Sequence, residues 1–282
     1  MKKLRTFYKI ENKLYSFIYR GKTFRGENKV LLNEQDNLLE KVKFNKKGFN
    51  VVDFDKSISH SKMEKFVENF IKKLIKKYST KKLSNFKLEK YHSFVDLKLH
   101  YKIIKKISPG INFSKAISRK KLEEFVSKVL KIKVSTLNQN YKNKNHKYYL
   151  NPKSFFLRIV RPSKNDFNPP HRDAYFDNHA HGINIYIPIT GSNKKSSLPV
   201  FPFSHRINES KIKRTNLNSR FNNVNFSVPV IVETSPKIKL VRPNPKKGQM
   251  LIFSPNIIHG GGINDNKNLT RISIELRFWR NK

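Results

Sequence analysis

The sequence predicts an α+β, mainly-β fold: a sandwich or barrel of jelly-roll type in the second half of the chain, with helices from the first half packed outside it. Three observations predict this. From Tyr148 onward, short runs alternate apolar and polar residues with period two, and Gly, Pro, Asn and Ser cluster between them. Before that point, apolar residues recur at helical spacing. The helical stripes are one-sided, so each needs a sheet to cover it, and no composition shift marks a domain boundary. The expectation is one unit over 1–282: an extension at 1–30, a mainly helical support at 31–147 and the β core at 148–282.

Along the chain, residues 1–30 carry Phe7, Tyr8, Tyr15, Phe17 and Tyr19 without a clean period, and read as an extension packed on the body. Leu31, Leu32, Leu38, Leu39 and Val42 are spaced for a helix over 30–43. Gly48 stops it, and Phe49 to Phe54 reads as a strand. Ser59 is a candidate N-cap, followed by a helix whose face holds Met63, Phe66, Val67, Phe70, Ile71, Leu74 and Ile75. The intervening lysines read as its solvated face. Phe94, Leu97, Leu99, Ile103 and Ile104 make a second stripe, and Leu122, Phe125, Val126, Val129 and Leu130 a third, after Ser118.

Strands are expected at 155–160, 182–189, 198–203, 228–233, 250–253 and 272–279. In the second of these the four isoleucines Ile183, Ile185, Ile187 and Ile189 face one way, and Asn184 and Tyr186 the other. The polar segment 211–225 reads as a lid.

Composition bounds the function. The chain has 282 residues and no cysteine, which excludes disulfides, thiolate metal sites and cysteine nucleophiles, and fits a reducing, cytoplasmic setting. No apolar run has the length of a membrane span, and the basic start lacks the apolar stretch of a secretory signal. The net charge is +40, from 60 Lys and Arg against 20 Asp and Glu. Lysine is spread over the whole chain beside abundant asparagine, so the charge reads as compositional, and no specific nucleic-acid partner is expected. An anionic small molecule is compatible with it. The oligomeric state is not legible.

The chemistry concentrates in Pro169 to Arg271. His171-Arg172-Asp173 places two ligand types at i and i+2, on one side of an extended chain, with Arg172 pointing away. With His259 from a distant strand they make two imidazoles and one carboxylate, a set that suits non-haem Fe(II) and leaves positions open. Arg271 is suited to bidentate carboxylate pairing, and Ser273 shares its strand face. Arg158 shares a face with Phe156 and Val160 and is either a surface charge or an anion-binding group. His179 and His181 are either rival ligands or residues of a loop over the pocket. Asp177 reads as a solvated or loop-stabilising acid, and His205 as structural, bonding backbone in a turn. Gly260-Gly261-Gly262 has no helix after it, so it reads as a tight turn following His259.

Residues 30–280 resemble the phytanoyl-CoA dioxygenase-like branch of the Fe(II)/2-oxoglutarate-dependent oxygenases. The likeness is carried in order by Gly48-Phe49-Asn50-Val51-Val52, His171-Arg172-Asp173, Ser197 to Arg206, Lys247 to Phe253, His259 and Arg271-x-Ser273. Phe203 stands where the family segment has glycine. The resemblance implies a double-stranded β-helix core, cupin-like, with Fe(II) held by His171, Asp173 and His259. It implies 2-oxoglutarate bound through Arg271 with Ser273, Asn184 near the co-substrate, O₂ as oxidant, and hydroxylation of a small molecule. Arg158 and Tyr186 are the candidate substrate residues. A small polar or anionic metabolite is expected, a sugar or cell-surface precursor among them. The competing expectations are a metal-binding β-helix protein without catalysis and a basic nucleic-acid-binding protein.

Overall fold

The computed structural model describes residues 3–32, 37–40, 42, 46–136, 154–162, 166, 168–176, 179–216, 219–221, 224–226 and 228–280. In chain order these form β1 (Leu4–Ile10), β2 (Lys13–Arg20), β3 (Thr23–Arg25), β4 (Phe49–Asp53), α1 (His60–Tyr78), α2 (Tyr91–Phe94), α3 (Leu97–Ile107), β5 (Ile111–Asn112), α4 (Arg119–Leu130), β6 (Val134–Ser135), β7 (Ser154–Val160), β8 (Gly182–Thr190), β9 (Ile212–Thr215), β10 (Ser219–Phe221), β11 (Val224–Phe226), β12 (Ile231–Thr234), β13 (Lys239–Leu240), β14 (Gln249–Phe253) and β15 (Arg271–Arg280).

The organising element is a large antiparallel sheet, ordered β4-β14-β8-β15-β7-β5, with β6 paired to β15 off this path. Its strands alternate as the period-two pattern requires. One face carries Ile183, Ile185, Ile187, Ile189, Met250, Ile252, Ile272, Ile274, Leu276 and Phe278, all in one core with the apolar stripes of α1, α3 and α4. Burial of about 1.5–3 kcal/mol per large apolar side chain drives this helix-on-sheet layer. The helix starts are fixed by side-chain caps: Ser59 accepts from Lys62 N, Asp96 from Leu99 N and Ser118 from Lys121 N. These satisfy amides that the first turn leaves without partners.

The opposite face of the sheet looks into the molecule and meets a second, shorter layer. There Tyr186, Leu251 and Phe253 pack on Leu198, Val200 and Ile257. That layer is built from single bridges rather than long strands. Ile231 N donates to Pro170 O, His171 and His259 exchange two backbone bonds, Phe201 N donates to Ile258 O, and Val200 and Val241 exchange another pair. The layer continues outward through β12-β9-β3. Two facing antiparallel layers with helices outside one of them agree with the expected jelly-roll architecture. Among the described residues no helix is long and apolar enough to cross a membrane.

Three expectations are corrected. The described residues of 30–43 form turns and bends, with Leu38 and Leu39 buried as isolated anchors; 33–36, 41 and 43 lie outside the described residues. The extension does pack on the body, and it does so as strands: β1 pairs with β2, from Leu4 with Tyr19 to Ile10 with Lys13, and with β13. Their period was hidden because Phe7, Leu14 and Ile18 are exposed while Tyr8, Ile10, Phe17 and Tyr19 are buried. The strand expected at 198–203 is reduced to β-bridges at Val200, with Phe201 N donating to Ile258 O beside them. Finally, the segment expected as a lid is paired into sheets, β9 with β3 and β12, β10 with β2 and β11; 217–218 and 222–223 lie outside the described residues.

Candidate metal centre

The second layer brings His171 and His259 together as direct neighbours. Their backbones exchange bonds of 2.9 and 3.0 Å, and the two ring centroids are 4.4 Å apart. Asp173, two residues further, opens a 3₁₀ turn and turns its carboxylate back toward the rings. Oδ1 lies 3.4 Å from His171 Nε2 and 3.7 Å from His259 Nε2. One ligand atom from each of the three residues can be chosen so that all lie within 4.8 Å of one another, and all three residues are buried.

The tautomers are fixed by backbone. His171 Nδ1 lies 2.7 Å from Pro169 O, and His259 Nδ1 lies 3.0 Å from Ile257 O. A carbonyl only accepts, so Nδ1 carries the proton in each ring and the Nε2 lone pairs are left facing Asp173. This is the outer support that metal-ligating histidines ordinarily have. The other carboxylate oxygen is taken: Asn184 Nδ2 donates to Oδ2 at 3.0 Å and Arg277 at 2.6 Å. Oδ1 is thereby the oxygen presented with the two imidazoles. Two neutral nitrogen donors and one carboxylate oxygen at these separations, with bond lengths of about 2.0–2.2 Å typical of such donors, fit a single divalent ion.

The electrostatics follow. Burial pushes the Asp173 carboxyl up, but Arg277, then His259 and His171, outweigh it and hold it well below the ordinary range. Burial, and next the neighbouring His171, lower His259 to about 4, which keeps its ring neutral.

Gly260 explains the turn after His259. Its φ is +96°, and a Cβ there would sit 2.6 Å from Pro169 O and 3.0 Å from His171 Nδ1. The glycine keeps open the contact that orients His171. Arg172 does point away from the carboxylate. It is fully buried and donates to Glu209 and to Ser204 O, while Arg214 and Tyr175 hold the other Glu209 oxygen. Phe203, at the position where glycine was expected, has φ +63°, a left-handed conformation in which a Cβ is strained.

The inner face of β15 carries Arg271, Ser273, Glu275 and Arg277, alternating with the apolar residues that face the helices. Arg271 is buried; one terminal nitrogen donates to Ser196 O at 2.9 Å, and its guanidinium lies 6.0 Å from the Tyr186 ring centroid. Its Nε and the Ser273 hydroxyl are buried with no partner among the described residues. Asn184 reaches Asp173, a contact the sequence did not suggest. Tyr186 is buried, with its hydroxyl 3.1 Å from Ser192 Oγ.

Arg158 resolves in part toward the surface. Its side chain is 43% exposed and donates to Glu275 at 3.0 Å. Burial raises the Glu275 carboxyl, and Arg158 first among its neighbours brings it below the ordinary value. The two histidines of His-x-His part company: His179 is buried, His181 is exposed, and neither joins the ligand cluster. His205 is buried, with Glu40 3.7 Å from its ring and Gly48 packed against it. Asp177 lies outside the described residues.

Arg277 was missed although its signal was present. It is the fourth polar residue in the alternation Arg271, Ser273, Glu275, Arg277.

Fold and site together define a two-layer antiparallel β protein with a His–Asp–His constellation suited to one divalent metal. No protein-family model matches the chain, and no curated protein sequence matches it. It is similar to three solved structures among others. One is the "Non-heme monooxygenase, ThoJ-Ni complex" (12% identity, 86% of this chain, 77% of that chain, TM-score 0.44). A second is EctD from S. alaskensis with 2-oxoglutarate and 5-hydroxyectoine (12% identity, 93% and 84%, TM-score 0.43). The third is the epimerase SnoN in complex with Fe3+, alpha ketoglutarate and nogalamycin RO (8% identity, 86% and 83%, TM-score 0.45). At these identities and TM-scores none bears on the chemistry of this chain, which is argued from its own residues.

Proposed function

We propose that the protein is an Fe(II)- and 2-oxoglutarate-dependent dioxygenase that hydroxylates a small polar or anionic metabolite, with residues 1–282 working as one oxygenase unit. The observation that carries this reading is a pairing on one inner face. A His–Asp–His donor set has its tautomers fixed by backbone carbonyls. On the strand that supports Asp173 through Arg277, Arg271 Nε and Ser273 Oγ are buried without partners among the described residues. Buried polar atoms cost free energy unless a partner meets them, and a carboxylate is the group that both would satisfy.

In this reading His171, Asp173 and His259 hold the metal, and Arg271 with Ser273 receives the distal carboxylate of the co-substrate. Iron bound there, with 2-oxoglutarate and O₂, would supply the oxidation, releasing succinate and CO₂ as one oxygen atom enters the substrate. The protein's own tasks are orientation and exclusion of water. Asn184 and Arg277 keep Asp173 presenting Oδ1. Tyr186, Leu251 and Phe253 close the wall beneath. Arg158, exposed at the rim and paired with Glu275, is the cation an anionic substrate would meet first.

The test is co-substrate binding. With Co(II) in place of iron and O₂ excluded, calorimetry on Arg271→Met should show the 2-oxoglutarate Kd raised about 30-fold or more, since truncating one partner of a buried charge pair costs about 2–5 kcal/mol. Wild type should also release succinate when given Fe(II), 2-oxoglutarate and O₂. Binding by Arg271→Met within twofold of wild type would overturn the assignment.

A further inference from the structure

We propose that Arg242 acts with Arg271 as one dicationic seat, and that this second guanidinium makes the site select 2-oxo acids carrying a second carboxylate. The inference rests on the co-substrate reading above and deepens it.

The two guanidiniums are held side by side. Arg271 donates to Ser196 O, and Arg242 donates to the next carbonyl, Ser197 O, and at 2.8 Å to Ile263 O. A Cβ on Gly262, the residue before Ile263, would lie 3.4 Å from an Arg271 terminal nitrogen. Both arginines therefore sit between the same two stretches, 196–197 and 262–263. Val241, immediately before Arg242, is stitched to Val200 in the second layer, so the position of Arg242 is set by backbone. Both side chains are buried.

Both guanidiniums donate to backbone carbonyls, and Arg242 also meets the Tyr15 side chain; none of these partners is a carboxylate that would cancel their charge. The titratable groups around them confirm an excess of positive charge. Asp265 is the acid near Arg242, but its oxygens already accept from Lys13 at 2.8 Å and from Tyr15. Tyr8 and Tyr15 are the other nearby groups; burial first raises both, so each keeps its proton, and the Tyr8 hydroxyl donates to Gly261 O at 3.0 Å. Glu275, on the Arg271 face of β15, is paired with Arg158, so counting Arg242, Arg271, Lys13 and Arg158 against Asp265 and Glu275 leaves two positive charges. Burial, and next the Arg271 charge, lower the pKa of Arg242 from its ordinary value, the response of a cation held beside another cation in a desolvated place; a guanidinium nevertheless stays charged. A structure that confines two like charges away from water stabilises whatever anion reaches them. The Arg271 Nε, without a partner among the described residues, marks the side from which it is reached. A monocarboxylic 2-oxo acid would leave this seat empty, and a 2-oxo dicarboxylate would fill it.

The alternative is that Arg242 only staples residues 197 and 263 together. A ratio of affinities separates the two, because a staple affects all ligands alike. Calorimetry on the Co(II)-loaded protein, with O₂ excluded, would compare 2-oxoglutarate with 2-oxopentanoate, which has the same chain length and a methyl in place of the distal carboxylate. Arg242→Met should weaken 2-oxoglutarate about tenfold, the effect of losing one unit charge at short range in a poorly screened site, while 2-oxopentanoate changes less than about twofold. Arg242→Lys should restore most of the preference. Asp265→Asn, which removes the partial counter-charge and leaves Arg242 in place, should raise the preference, and it decides the matter if Arg242→Met does not fold. An unchanged ratio in Arg242→Met, or in Asp265→Asn where the former is unfolded, overturns the proposal. If wild type itself shows no preference for 2-oxoglutarate over 2-oxopentanoate, the co-substrate reading fails with it, an outcome distinct from a preference that ignores Arg242.

Discussion

Replacing Glu209 with Gln strikes the support of the His-x-Asp turn without touching a ligand. Arg172 lies between His171 and Asp173 and is fully buried, so its charge has no access to water. Glu209 neutralises it through one oxygen and meets Arg214 and Tyr175 through the other. The glutamine keeps the shape and one acceptor but removes the negative charge, leaving two guanidiniums facing an amide. Breaking a buried pair by removing one partner costs about 3–5 kcal/mol, because the remaining charge stays desolvated. Arg172→Met should cost less, about 1–3 kcal/mol, since Glu209 keeps Arg214 and Tyr175. The order of the two variants is therefore the informative quantity. Urea unfolding followed by circular dichroism would give both values. A thermal scan should place Glu209→Gln about 6–20 °C below wild type, at about 2–4 °C per kcal/mol for a chain above 150 residues. If Glu209→Gln loses less than about 1 kcal/mol, or less than Arg172→Met, then the charge pair is not what holds this turn.

Two further outcomes are expected. Gly260→Ala would push its Cβ into Pro169 O, the carbonyl that orients His171; loss of such outer support lowers metal affinity about 10–100-fold, and a Co(II) titration within twofold of wild type would contradict this. His100 is lowered to about 4, by burial first, with Asp166 opposing and Arg161 adding to the shift. Its unfolded value is about 6.5, so the unfolded chain takes up a proton that the native state refuses. The stability linked to it is complete above about 6.5 and is lost as pH falls through about 4, on the order of 2–3 kcal/mol. Between pH 7 and pH 4.5 the thermal midpoint of His100→Asn should fall less than that of wild type, and equal falls would refute the assignment.

What was legible in the sequence was whatever depends on local spacing. The isoleucines of 183–189 alternate because one face of that strand is covered by helices, and the caps at Ser59 and Ser118 are single-residue signals with a direct physical cause. The i, i+2 geometry of His171 and Asp173 needs only an extended chain. The missing parts depend on what lies opposite. Arg277 carries the same period as Arg271, but nothing in the chain says that its partner is Asp173, 104 positions away. The family resemblance, not the residue's own spacing, puts Asn184 toward a co-substrate; its hydrogen bond to Asp173 is a property of the packed layers. The hairpin of β1 and β2 was obscured because apolar residues occupy both faces, and the turns at 37–40 bury two leucines that mimic a helical stripe. Phe203 shows the converse: the glycine expected there marked a left-handed turn, and the turn is present with a phenylalanine in it.

The central claim is that His171, Asp173 and His259 hold one metal ion, and metal stoichiometry under anaerobic conditions tests it most directly. Purified protein would be loaded with Fe(II), passed over a desalting column, and assayed for iron per chain, in parallel with His171→Ala, His259→Ala and Asp173→Ala. Circular dichroism of each variant would establish that the fold is kept. The expected result is one iron per wild-type chain and essentially none in each of the three variants. Iron retained at wild-type stoichiometry in both histidine variants, with the fold intact, would contradict it.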